Sequence, residues 1–423
     1  MSFRIALRNL NRNRWRSALT MGGIAVAMTL VIWTNGLTDA MLMRMVASAT
    51  SLDVGEIQVH RTDYVDEPLL YHAFDDITSK LEDVRAVQGV SLATARIYTY
   101  GLLGHEKRSQ VAKIVGVNPS LESKGFTLSS GIVEGHWLKD TPPPEDAPRP
   151  VVLGRGLLEQ LGAALGDELV LFMNGADGSM GDELVKIVGV VTAARADIDR
   201  MGAYMHMADV QRVAALDGRA HEISVRIHKN QEPSDVASRI QDALNTDGKE
   251  DAHALTVRPW TEVLPEIHQV VSFSENQKVV IYFIIFLIAA LGIFNAQRMS
   301  ALERRREFGV LLAVGLSPRK MFGMVVTEAA LLTFAGGLVG AGLGAAAAFY
   351  FSVYGLDIGA MSGTDGGLTY MGVSLGEALY FDLTPELFLE PLVIIVCVGA
   401  AAGLWPAFGA SRLDAVRAIA GRT

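Results

Sequence analysis

The chain holds a single cysteine, Cys397, set inside an apolar run. No intramolecular disulfide can form, so any aqueous part must be held by its own core. A thiol in such a run reads as a small packing residue. Phosphate-binding signatures are missing too: there is no G-x-x-x-x-G-K-[ST] whose backbone amides could cradle a nucleotide. The glycine-rich pieces at 154–156 and 363–367 lack a following lysine and read as turns. Neither H-E-x-x-H nor C-x-x-C occurs, and the 9 histidines are scattered singly, which offers no metal ion a ligand set. Ser, His and Asp show no grouping that suggests a nucleophilic triad. No basic patch interleaved with aromatics is present to bind nucleic acid. These absences predict a chain that is not itself an enzyme and carries no cofactor.

Charge is absent from four long runs, 17–37, 279–294, 329–353 and 391–410. Together with 50% hydrophobic residues and a mean hydropathy of +0.28, this exceeds what a soluble domain shows. Runs of that length match the hydrocarbon thickness of a bilayer. The predicted spans are 17–38, 278–297, 321–353 and 385–410, with an amphipathic interfacial helix over 1–16. The first span is expected to be retained, because residues 33–38 offer no A-x-A cleavage pattern. No charged residue sits mid-span, which argues against an ion-coupled carrier.

Lysine and arginine are also absent from the segment 354–383, where Asp357, Asp365, Glu377 and Asp382 stand instead. By contrast, 1–16 carries five arginines, 298–320 six basic residues and 411–423 three. The positive-inside rule therefore predicts both termini, with the tail 411–423, and the 298–320 connector in the cytoplasm. The loop 354–384 then lies outside. Within RMSALERRREFGVLLAVGLSPRK (298–320), Glu303 and Glu307 interleave with Arg304, Arg305 and Arg306 at helical spacing. A lipid anchor needs no acids, so the segment reads as a docking helix.

Between the first two spans, residues 39–277 are long enough to own a core. Short β-patterned runs at 56–60, 93–101, 111–117, 151–153, 168–172, 183–191, 223–227 and 255–258 alternate with helical patterns at 73–87, 155–161, 207–216 and 234–244. That order predicts an α+β domain, with 39–52 and 272–277 as helical extensions of the spans. The predicted fold is thus an α-helical membrane protein of four spans with a large extracytoplasmic α+β domain between the first and second. In the third span, Gly336, Gly340 and Gly344 recur every four residues. Such a stripe lets helix backbones approach closely, either within one subunit or across a dimer seam.

Several of these stretches resemble one family. LRNLNRNRWRSALTMGGIAVA (7–27), ALERRREFGVLLAVGLSPRKMFGMVVTEA (301–329) and WPAFGASRLDAVRAI (405–419) are similar to permeases of the FtsX/MacB/LolC–LolE type. VVLGRGLLEQLGAALGDELVLF (151–172) and VKIVGVV (185–191) are similar to their periplasmic core. IWTNGLTDAMLMRMV (32–46), GEIQVH (55–60) and ALYFDLTPELF (378–388) look most like the lipoprotein-releasing LolC/LolE branch. One departure is the turn NGADGSMGD (174–182), shorter than the extended hook of LolC-type subunits that recruits a lipoprotein carrier. That favours a LolE-like role or a different cargo.

The resemblance implies a bacterial inner-membrane ABC transporter in which two permeases, identical or paralogous, work with a separate cytoplasmic ATPase dimer that binds ATP and Mg. Glu303, Arg304, Arg305, Arg306, Glu307, Phe308 and Gly309 would dock on that ATPase, Phe308 as the apolar anchor. Cargo, a lipoprotein or another amphipathic molecule, would enter from the bilayer between the first two spans, past Ile24, Met28, Ile32, Met41, Met45, Tyr282 and Ile285. A periplasmic carrier or adaptor would receive it. MacB-like efflux of peptides or drugs and FtsX-like regulation of cell-wall hydrolases are the other activities the family implies.

Overall fold

In the computed structural model the described residues are 14–141, 143–144, 146–193, 195–245, 254–357, 369–370, 373–374, 378–414, 416 and 418. The interfacial helix expected over 1–16, most of the loop 354–384 and much of the tail 411–423 lie outside them. The chain divides into a membrane unit and an inserted domain.

Four helices long and apolar enough to cross a bilayer make up the membrane unit: α1 (Arg14–Ala49), α6 (Pro265–Glu303), α8 (Pro318–Tyr354) and α9 (Glu386–Ser411). Each is longer than the apolar run that marks it. α1 continues as a π-helical turn over Thr50–Val54, and α6 starts ahead of the predicted span and ends beyond it. The glycine stripe of α8 packs inside the chain. A Cβ at Gly340 would come 2.6 Å from the Ala25 carbonyl oxygen and from Met28 Cβ. A Cβ at Gly336 would come 3.0 Å from Ile24 and one at Gly344 2.7 Å from Ile32. Thr29 Oγ1 donates across the same seam to the Gly340 carbonyl (3.1 Å). On its other side α8 meets α9, where Thr333 fills the space over Gly399 and Ala329 that over Gly403. Small residues thus let three helix backbones close up where lipid supplies no hydrophobic drive.

The inserted domain is built on ten strands, β1 (Ile57–Arg61), β2 (Val90–His105), β3 (Arg108–Val117), β4 (Ile132–Gly135), β5 (Arg149–Gly154), β6 (Glu168–Asn174), β7 (Met180–Val191), β8 (Gly202–His206), β9 (Glu222–Ile227) and β10 (Leu255–Pro259). Two substructures share β2. Its first half joins an antiparallel sheet ordered β10-β1-β9-β2, covered by α2 (Ile77–Ala86) and α5 (Pro233–Asn245). Its second half belongs to a closed barrel, β2-β3-β8-β5-β7-β6, in which β6 pairs back to β2. Closure removes the free strand edges that would otherwise invite aggregation. Alternate residues point into the core, among them Leu103, Ile114, Leu153, Leu169, Leu171, Val185 and Met205, each at most 1% exposed. The short helices α3 (Arg155–Leu161) and α4 (Met207–Val213) plug the same core through Leu157, Leu161 and Val210.

β4 and β8 were not among the expected strands. Both are short, and β8 is buried along nearly all of its length, so it shows none of the alternation that marks a half-buried strand. The β6–β7 turn, residues 175–179, is tight: Gly175 N–H donates to the Ser179 carbonyl at 2.8 Å.

Candidate functional site

The 298–320 connector is not one uniform segment. α6 runs to Glu303, Arg304 leaves the helical region (φ −95°, ψ 10°), and α7 (Arg305–Ala313) begins a new axis. α7 ends in a tight C-cap: Leu316 N–H donates to the Leu311 carbonyl (3.0 Å) and Gly315 N–H to that of Leu312 (3.1 Å). This paired pattern needs a left-handed residue at its corner, and Gly315 supplies it with φ +100°. Pro318 then opens α8 at its first turn, where a missing N–H costs nothing.

Helical periodicity splits α7 into two faces. Phe308, 1% exposed, inserts among Met321, Met324, Val325, Ala407 and Ala410, with Leu312 and Leu316 beside it. Burial of such a ring contributes about 1.5–3 kcal/mol. Arg304 Nη1 donates to both carboxylate oxygens of Glu328 (3.0 and 2.8 Å), and Nε donates to Glu307 (3.3 Å). Its guanidinium also lies 5.0 Å from the centre of the Phe308 ring. The opposite face is open: Val310, Leu311 and Val314 are 45, 37 and 83% exposed, with Glu303, Arg306 and Glu307 exposed nearby and Arg305 half-buried.

This corrects the expectation for Phe308. Its ring is buried inside the chain, as the foot of the helix on α8 and α9, and is not presented to a partner. Arg304 is likewise engaged inside the chain, and Gly309 is buried. An exposed apolar stripe lies on the other face, on Val310, Leu311 and Val314. The sequence carried the signal, since VLLAV offers apolar residues all round, more than one buried face can use.

The residues expected to line a cargo path divide in a similar way. Ile24, Met28 and Ile32 are at most 2% exposed and form the ridge that fits the α8 glycines, which turns Met28 and Ile32 away from the expected path. Tyr282 is also buried and accepts a hydrogen bond from Asn35 Nδ2, one turn from an ion pair between Asp39 and Lys278. Met45 is buried, in the part of the chain that belongs to the inserted domain. Met41 and Ile285 are half-buried.

An apolar groove of about 550 Å³ does run between α1 and α6. Its walls carry small residues, Gly23 and Ala27 facing Ala289, Gly292 and Ala296, so no side chain fills the gap. Leu19, Val26, Leu30, Ile288 and Met299 form the rim, and all are exposed. Of the expected residues only Ile24 and Ile285 line it. Beyond it, Asn35–Tyr282 and Asp39–Lys278 draw the two helices together. Chemically the groove can hold an aliphatic chain, and α7 can hold a protein with a matching apolar pocket. Among the described residues no cluster of His, Cys, Asp and Glu could hold a metal ion.

Comparison with known proteins places the chain in a family. Residues 17–243 match the MacB-like periplasmic core domain, and residues 279–415 match the FtsX-like permease C-terminal domain. The lipoprotein-releasing system transmembrane protein LolC of Neisseria meningitidis serogroup B is 22% identical over 98% of this chain and 96% of its own length. The macrolide export ATP-binding/permease protein MacB of Acinetobacter baylyi is 22% identical over 80% of this chain but only 50% of its own. Among solved structures, the extracellular domain of the ABC-type transporter YknZ superposes with a TM-score of 0.35 at 15% identity, over 48% of this chain and 98% of that domain. The chain is a multi-pass membrane protein with an extracytoplasmic α+β domain, and it belongs to the FtsX/MacB/LolC–LolE-like family of ABC transporter permeases.

Proposed function

We propose that this chain is the permease subunit of a transporter that draws a lipid-anchored or amphipathic cargo, lipoproteins above all, out of the inner membrane toward the outer one. A separate ATPase dimer, which binds ATP and Mg, supplies the work. The observation that carries this reading is the α1–α6 groove: apolar, walled by small residues and open at its rim. In a bilayer such a groove admits an acyl chain from the side, which a path for a soluble peptide would not require. The end-to-end likeness to a lipoprotein-releasing LolC supports the same reading.

In this scheme both termini and α7 are cytoplasmic, as the lysine and arginine distribution requires. The ATPase seats on Val310, Leu311 and Val314, with Glu303, Arg305, Arg306 and Glu307 as its polar rim. A second permease, identical or paralogous, completes the assembly and supplies a second groove. A periplasmic carrier or adaptor receives the cargo, although the short β6–β7 turn supports no extended carrier-catching hook on this subunit. The match of residues 17–243 to a MacB-like core keeps peptide or drug efflux as the second reading.

Purification of the complex followed by mass spectrometry of what travels with it distinguishes the two. Triacylated lipoproteins are expected, and their amount should fall when Gly292→Phe fills the groove, while the ATPase stays bound. A complex free of lipoprotein, whose ATPase responds to a soluble peptide, would overturn the proposal in favour of efflux.

A further inference from the structure

The outer end of α1 and the start of α6 are held by the inserted domain in unlike ways. A helix leaves its last four carbonyls without helical partners. At the end of α1 the inserted domain satisfies most of them. Ser51 O accepts from Thr127 N–H (2.8 Å) and Thr127 Oγ1 (3.2 Å). Asp53 O accepts from Arg96 Nη1. Val54 O accepts from Gln58 Nε2 and Ser224 Oγ, both at 2.9 Å. Gly55 N–H closes the turn on Thr50 O (2.8 Å). The Asp53 carboxylate in turn accepts from Arg195 Nη1 at 2.7 Å.

Arg96 is the hub of this socket. It is 3% exposed, donates to both oxygens of Glu122 (2.5 and 2.9 Å) and to Glu222 (3.2 Å), and stacks 4.3 Å from the centre of the Phe126 ring. Glu222 is fixed further by the Tyr98 hydroxyl (3.1 Å). All three guanidinium nitrogens therefore donate, and charge-assisted bonds of this kind are the strong ones.

The start of α6 has no such grip. The chain leaves β10 through Trp260, whose N–H donates to Glu56 O (2.8 Å), and turns at Leu264 (φ −120°, ψ 66°) before Pro265. Among the described residues no side chain of the domain hydrogen-bonds 264–268; Trp260 meets the His268 ring edge-on at 6.2 Å, and the buried Ile267 is held by apolar packing. A cleft of about 380 Å³ lies between the two connections, with Asp53 and Val54 on one wall and Val263 and Leu264 on the other.

We infer that Arg96 is a positioning residue that locks the end of α1, residues 44–54, into the inserted domain, and that the turn at Leu264 holds residues 265–269 less firmly. The inference depends on no particular cargo. Arg96 and Asp53 carry the lock, and Arg195 reinforces it through the Asp53 carboxylate.

Spin-label distance measurements on the full chain in lipid nanodiscs test it, in a Cys397→Ser background. Labels at Ala47 and Ser109 report the lock, Gln269 and Ser109 the looser connection, and Ser109 and Glu168 the integrity of the barrel. A narrow Ala47–Ser109 distribution, a broader Gln269–Ser109 distribution and loss of the narrow Ala47–Ser109 peak in Arg96→Met are expected, with Ser109–Glu168 unchanged. Should Arg96→Met disturb the barrel pair, Arg96→Lys, which keeps a charge beside Glu122 and Glu222 but lacks the fork that also reaches Asp53 O, is read in the same way. Equal widths for the first two pairs in the wild type, or a peak that stays narrow in a variant with an intact barrel, would overturn the inference.

Discussion

Arg304 and Glu328 form a two-pronged ion pair, 2.8 Å at its closest, between the bend after α6 and the body of α8. Their side chains are 12 and 9% exposed. The sequence places Glu328 near a span end, where a charge is cheap, and gives no hint that Arg304 reaches it. With Phe308 beneath it, the pair makes α7 a rigid outgrowth of α8 and α9, separated from α6 by a bend.

Breaking that pair should destabilise the membrane unit. Glu328→Gln leaves the largely buried guanidinium with only the exposed Glu307 as counter-charge, a loss expected below the roughly 3–5 kcal/mol of an uncompensated buried charge. A lower melting midpoint of the detergent-solubilised chain is expected, with part of the loss recovered in Arg304→Gln/Glu328→Gln. An unchanged midpoint for the single variant would show the pair to be solvated.

The two faces of α7 should fail in different assays. Phe308→Ala is expected to cost about 3–5 kcal/mol of stability, as large-to-small changes of a buried ring do. Val310→Asp/Val314→Asp, on the open face, should leave the melting midpoint in place and abolish co-purification of the ATPase. Retention of the ATPase by the double aspartate variant would refute docking on this stripe.

Gly340 and Gly342 lie two residues apart on α8 and should respond oppositely to enlargement. A Cβ at Gly340 meets the Ala25 backbone, whereas one at Gly342 meets nothing within 4 Å. Gly340→Leu should therefore lose about 1–3 kcal/mol or more through overpacking, and Gly342→Leu should be close to neutral. Equal effects, read by thermal unfolding, would show that the seam is not formed as described.

Glu222 gives the inserted domain a pH response. Burial is the main cause that raises its carboxyl from 4.5 to about 7, against the opposing pull of Arg96. A raised folded value means that the folded state holds the proton more tightly than the unfolded one. The stability this contributes is complete below pH 4.5 and is lost as pH rises through about 7. His60 and His221, both lowered to about 4 by burial, act in the other sense, since their neutral forms stabilise the fold and that stability is lost as pH falls from 6.5 toward 4. Comparison with Glu222→Gln isolates the carboxyl. The wild-type midpoint relative to this variant should fall between pH 4.5 and 7 and then level off, and a flat difference would disprove the assignment.

Much of the inserted domain could be read from alternation. β6 places Leu169, Leu171 and Met173 inward and Val170 and Phe172 outward, so its strand character is local information. β8 could not be read this way, because it lies inside the barrel wall between β3 and β5 and both its faces are covered. The socket around Arg96 was equally hidden. Its members come from β2, β9, the helix after β3 and the end of α1, and nothing in the spacing of Asp53, Arg96, Glu122 and Glu222 links them.

The sequence alone determined the properties that composition sets along one dimension: four charge-free runs, an asymmetric distribution of lysine and arginine, an α+β insertion and the absence of nucleotide and metal signatures. Those properties depend on neighbours in the chain, so periodicity and counting suffice. Only the tertiary structure decided which apolar residues are spent internally. Phe308, Met28 and Ile32 look like available anchors in the sequence, yet close packing against Met321, Gly340 and Gly344 consumes them. The surfaces left over, Val310, Leu311 and Val314 on α7 and the groove between α1 and α6, are set by what that packing leaves uncovered.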